Sequence, residues 1–156
     1  MPTKIAFVLI VLFSALRSAG QNKPVSFEDL AVLQNTEARP VVVLIMTDWC
    51  KYCHAMQNAM LKNQRIAAVL KSRFHTIFLN AEEKKDIIFA GRTFKYNSGT
   101  NELARQLAAN GGKVSYPTLC ILNSKNEIIY QHEGYLSPPA ILYTLEKISA
   151  VSKSIN

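Results

Sequence analysis

The chain has 156 residues, 49% of them hydrophobic, which is enough for one domain with a full core. Its formal charge of +7 falls to +5 if Lys4 and Arg17 leave with an amino-terminal leader, because the first twenty residues hold no acidic side chain. The basic residues, among them Lys23, Arg39, Lys62, Arg65, Arg92, Arg105 and Lys125, are scattered rather than gathered in a stripe, which argues against a nucleic-acid footprint.

Lys4 precedes an unbroken apolar run from Ile5 to Phe13, continued by Ser14, Ala15 and Leu16. The run is shorter than the roughly 20 residues that span a bilayer, and Ser18-Ala19-Gly20 supplies the small residues of a cleavage site. Residues 1–20 are therefore read as a signal peptide and 21–156 as the mature domain, beginning near Gln21. An uncleaved anchor is the alternative, opposed by Arg17, which ends the run. No second apolar segment follows, and no Cys succeeds the small residues to carry a lipid. The expected location is outside the cytoplasm: the periplasm in a Gram-negative bacterium, otherwise the secreted fraction.

Ser26 can cap a helix whose first turn holds Glu28 and Asp29 and whose apolar face holds Phe27, Leu30, Ala31, Val32 and Leu33. After Pro40, Val41 to Met46 is a β-branched run without polar alternation, the pattern of a strand buried on both faces and placed centrally. Thr47-Asp48-Trp49-Cys50-Lys51-Tyr52-Cys53 follows, then Ala55, Met56, Ala59, Met60 and Leu61 at helical spacing. A break near Asn63 separates these from Ile66, Ala67, Val69 and Leu70.

His75 to Leu79 reads as a second strand. Glu82-Glu83-Lys84-Lys85 reads as a solvated turn, and Asp86 to Tyr96 as a hairpin turning at Ala90-Gly91. Thr100 or Asn101 can cap a helix over Leu103, Ala104, Leu107 and Ala108, ended by Asn110-Gly111-Gly112. Thr118 to Leu122 is another buried strand, joined by the turn at Asn123 to Asn126 to an antiparallel partner over Glu127 to His132. Gly134 and Pro138-Pro139 lead into a closing helix with Ile141, Leu142, Leu145 and Ile148. This order predicts an α/β fold, a central mixed sheet flanked by helices on both faces.

The chemistry concentrates at Cys50-Lys51-Tyr52-Cys53, a Cys-x-x-Cys at a helix start. Unpaired N–H groups and the positive end of the helix dipole stabilise a thiolate at Cys50, the expected nucleophile. Cys53, one turn later and less exposed, is placed to attack a mixed disulfide and release the substrate. Lys51 favours the thiolate and Asp48 opposes it.

Trp49-Cys50-Lys51-Tyr52-Cys53 behind a buried strand, with Tyr116-Pro117-Thr118 before a later one, resembles the thioredoxin superfamily over about Ser26 to Ala150. The Cys53-x-x-Met56 continuation resembles its bacterial extracytoplasmic members. The resemblance implies a thioredoxin-like fold and a thiol:disulfide oxidoreductase with Cys50 and Cys53 as catalytic residues. It implies a cis Pro117 beside the dithiol, with the Tyr116 backbone pairing with a substrate strand, Trp49 flanking the site, and Gly134 permitting close backbone packing. Lys51, Tyr52 and His54 are expected to modulate reactivity.

No cofactor or metal is required. The expected partners are protein disulfides, with a membrane electron-transfer protein as one candidate electron source, and the chain is expected to be monomeric. Two departures from thioredoxins stand out: Lys51-Tyr52 replaces their Gly-Pro between the cysteines, and Leu44 and Phe78 stand where they bury an acidic residue and a Lys. Reduction is the favoured direction, since Tyr52 cannot offer the imidazolium that strongly oxidising relatives carry in its place.

Other readings of the same residues remain open. Cys50-x-x-Cys53-His54 also matches the attachment motif of c-type haem, with His54 and Met56 or Met60 as ligands, which would make an electron carrier. Against it, a buried strand leads straight into the motif and Tyr116-Pro117 would have no role. Zinc would need Cys120 and His132 to join Cys50 and Cys53. A permanently closed Cys50–Cys53 bridge would give a non-catalytic binding module. Cys120, third of an odd Cys count, is read as a small core hydrophobe, and Met46, Met56 and Met60 as core. His75 and His132, at strand ends, are expected to be solvated, and Asp48 to be a strand-end charge.

Overall fold

The computed structural model describes residues 24–154. The expected signal peptide and the mature terminus near Gln21 lie outside the described residues. Helix α1, Phe27–Thr36, starts where Ser26 Oγ accepts the Asp29 N–H at 3.1 Å, the cap the sequence offers. Strand β1, Val41–Met46, buries all six side chains. Helices α2, Lys51–Lys62, and α3, Gln64–Arg73, meet at Asn63, which ends the first and caps the second by accepting the N–H groups of Arg65 and Ile66. Strand β2 is His75–Asn80.

Strands β3, Ile87–Phe89, and β4, Arg92–Phe94, form the expected hairpin, with positive φ at Ala90 and Gly91 as a two-residue turn requires. It is shorter than expected: Tyr96 belongs instead to β5, Tyr96–Asn97, paired with β6, Thr100–Asn101. Asn101 caps α4, Glu102–Ala108, accepting the Leu103 N–H at 3.0 Å. Gly111-Gly112 does not simply end that helix; it turns a small ladder between β7, Ala109–Asn110, and β8, Lys113–Val114. Strands β9, Thr118–Leu122, and β10, Ile128–Glu133, are followed by α5, Pro138–Ser154. Pro138 and Pro139 open α5 rather than precede it, a position where the missing N–H costs nothing.

The main sheet has the order β10-β9-β1-β2, with β1 parallel to β2 and antiparallel to β9. Alternation along β1 divides the core. Val41, Val43 and Ile45 meet Phe27 and Leu30 of α1 and Leu103 and Leu107 of α4 on one face. Val42, Leu44 and Met46 meet Met56 and Met60 of α2, Ile66 and Leu70 of α3, and Ile141 and Leu145 of α5 on the other. Each such large side chain contributes about 2 kcal/mol by leaving water. Helices therefore cover both faces, as the element order predicts.

The histidine expectation is corrected. His75 is buried, and its Nε2 bonds the Glu37 carbonyl at 2.9 Å, because the chain after α1 folds back over the start of β2. His132 is half-buried within β10 opposite Leu119. No helix among the described residues is long and apolar enough to cross a membrane.

Candidate active site

The buried strand β1 delivers Asp48, Trp49 and Cys50 to one end of the sheet, where α2 begins. Cys50 is the cap of α2 and is disulfide-bonded to Cys53, with Cα atoms 5.2 Å apart. Cys50 Sγ also accepts the Cys53 N–H at 3.1 Å. That donor, at the positive end of the helix, would remain for a Cys50 thiolate once the bridge is reduced, when the sulfur carries full charge. Cys50 is 7% exposed and Cys53 fully buried, so a substrate sulfur can approach only the first.

Beneath Cys53 the lining is apolar. Leu44, Met46, Met56 and Leu119 share its core, and Leu44 lies in register with Phe78 of β2. No carboxylate is buried among the described residues.

The Tyr116–Pro117 peptide is cis. The Tyr116 main chain makes no hydrogen bond within the described residues, whereas the Pro117 carbonyl accepts the Gly134 N–H at 2.8 Å. Gly134 does not serve close packing as the resemblance implies. A Cβ there would meet nothing within 4 Å, and it is the φ of +89° that favours glycine.

Trp49 and Tyr52 are each 67% exposed. Trp49 meets the Tyr116 ring edge-on, with centroids 6.2 Å apart, and donates Nε1–H to Glu82 Oε1 at 3.1 Å. Tyr52 stands 5.6 Å from Tyr135. Lys51 is exposed; Asp48, also exposed, accepts a hydrogen bond from Asn80 Nδ2 at 3.2 Å. His54 is half-buried, with Nε2 2.8 Å from the Asp48 carbonyl oxygen. A carbonyl only accepts, so Nε2 carries the proton and is engaged with the strand end.

The zinc reading loses its geometry. Cys120 packs on the α1/α4 face of the sheet and Cys50 and Cys53 on the α2 face, so four zinc ligands cannot converge from Cys50, Cys53, Cys120 and His132. The haem reading takes His54 as a ligand, with or without Met56 or Met60. Met56 and Met60 are fully buried, and Met56 Sδ accepts the Leu136 N–H at 3.4 Å. Burial among apolar groups pushes the Cys120 thiol up to about 12, leaving it inert.

Glu82 and Tyr135 were not legible as site residues. Glu82, read as part of a solvated turn, reaches Trp49 across 33 positions, and Tyr135 reaches Tyr52 from beyond the last strand. Neither lies in a local motif.

The arrangement can perform thiol–disulfide exchange: a bridge that opens to an activated thiolate and a buried partner within reach. No curated protein sequence matches the chain. Its fold is similar to an oxidoreductase described as DsbH, at TM-score 0.58 and 14% identity, covering 87% of this chain and 88% of that one. It is similar to a disulphide isomerase from Xylella fastidiosa Temecula1, at 0.56 and 18%, covering 86% and 99%. A thioredoxin from Thermus thermophilus aligns at 0.58 and 19%, covering 83% and 88%. Residues 27–149 match the thioredoxin-like domain, and the chain belongs to that family.

Proposed function

We propose that the protein is an exported thiol:disulfide oxidoreductase that reduces disulfides in other proteins. The observation that carries this is the Cys50–Cys53 bridge at the start of α2, with the Cys53 N–H on Cys50 Sγ, beside the open main chain of Tyr116. In the reduced protein the Cys50 thiolate attacks one substrate sulfur, the substrate disulfide breaks, and the departing thiolate takes up a proton. Cys53 then gives up its proton and attacks Cys50 Sγ, releasing the second substrate thiol and closing the bridge. The substrate gains two electrons, and a dithiol donor, such as a membrane electron-transfer protein, must return them. The protein acts as a monomer, and Trp49, Tyr116 and Pro117 receive the substrate strand.

Export is supported by Lys4, the run from Ile5 to Phe13 and Ser18-Ala19-Gly20. Amino-terminal sequencing of the protein recovered from outside the cytoplasm should start near Gln21; an intact Met1 would contradict export with cleavage. For the activity, purified protein with dithiothreitol should accelerate reduction of insulin, and Cys50→Ser should not. Equal rates for both proteins would remove the proposed reaction.

A further inference from the structure

Two aromatic pairs border the bridge. Trp49, adjacent to Cys50, pairs with Tyr116; Tyr52, between the cysteines, pairs with Tyr135, which is 45% exposed. The second pair is braced from behind. The Gly134 N–H is held by the Pro117 carbonyl and the Leu136 N–H by Met56 Sδ, so both residues flanking Tyr135 are fixed to the site. Exposed rings held by such contacts lose little freedom when covered, which is how aromatic side chains come to dominate binding surfaces.

Resting on the exchange reaction above, we propose that Tyr52 and Tyr135 form a specificity surface that selects extended polypeptide segments carrying an aromatic or large aliphatic residue next to the attacked cysteine. Covalent geometry dictates the occupant. The substrate sulfur must reach Cys50, the only cysteine with any exposure, so residues one or two places along the substrate, about 3.5–7 Å away, are brought onto the neighbouring surface. Glutathione offers that surface no ring or long aliphatic side chain. A folded protein keeps most such residues inside, whereas a non-native chain presents them beside its cysteines.

The test uses the reduced full-length protein with two peptides, each a mixed disulfide with glutathione, differing only in Phe or Ser beside the cysteine. Oxidised glutathione alone is the third substrate. Wild type should favour the Phe peptide about tenfold in kcat/KM, the order one aromatic contact supplies. Tyr135→Ser should reduce that ratio below about threefold and Tyr135→Phe should keep it. Tyr143→Ser, on the exposed face of α5 and outside the site, should also keep it. Equal rates on the two peptides in wild type, or an undiminished ratio in Tyr135→Ser, would overturn the surface while exchange with oxidised glutathione still stood. Inert protein towards all three substrates would instead overturn the exchange reaction, and this surface with it.

Discussion

Leu44 of β1 and Phe78 of β2 are register partners on the sheet face that carries α2, and both pack into the core that surrounds Cys53. Resolution requires Cys53 to lose its proton, and an apolar surrounding disfavours the resulting thiolate. With no carboxylate among the buried residues described, a water or a substrate group is the expected acceptor of the proton. Release of a Cys50 mixed disulfide should therefore be slow and should rise with pH between about 6 and 9, since deprotonation becomes easier as pH increases.

Leu44→Asp should speed release near neutrality and destabilise the fold by about 3 kcal/mol, because it places a poorly paired carboxyl where a packed side chain stood. The check is single-turnover release in wild type and variant, at a temperature where both are folded. A rate independent of pH in wild type would show that proton loss from Cys53 does not limit the step.

Trp49 is the only Trp of the chain, so its fluorescence reports on the rim of the site alone. Glu82 holds the indole, and Asn80 links the two ends of the contact, donating to Asp48 and accepting the Glu82 N–H at 2.9 Å. Glu82→Ala should lower the steady-state anisotropy of the indole and shift its emission to the red, with a stability change within about 1 kcal/mol. Glu82→Gln, which keeps an acceptor, should resemble wild type. Identical anisotropy in all three proteins would mean that Glu82 does not position Trp49.

Cys120 supplies a pH dependence of defined sign. Its thiol is raised from 9.0 to about 12 by burial, so the folded chain holds that proton more tightly than the unfolded chain. The corresponding stability is fully present below pH 9 and is lost as pH rises towards about 12. Alkaline unfolding of Cys120→Ala should therefore be less steep over that interval than that of wild type. In native reduced protein at pH 8, iodoacetamide should label Cys50 and leave Cys120 untouched until the chain is unfolded; native labelling of Cys120 would contradict its placement.

The sheet and the dithiol were legible because their signals are local. Val41 to Met46 is apolar without alternation, Ser26 and Asn63 are caps in sequence with their helices, and Cys50 and Cys53 stand one turn apart. What was not legible depends on distant partners. His75 is buried by the Glu37 carbonyl, which comes from the end of another helix. The β5–β6 pair is anchored by Asn101, fully buried, whose amide donates to the carbonyls of Glu83 and Lys85. Gly134 was read for close packing, when its role is set by φ, which sequence does not display.

The most direct test of the account is a trap. Without the resolving thiol, the Cys50 mixed disulfide has no internal route to release, so Cys53→Ser expressed as the full chain should accumulate high-mass species that dithiothreitol dissolves. Peptide mass spectrometry should find Cys50, and not Cys120, joined to cysteines of other proteins. Cys50→Ser should give none of these species. If the two variants yield the same adduct-free pattern, Cys50 does not exchange with protein disulfides and the central claim fails.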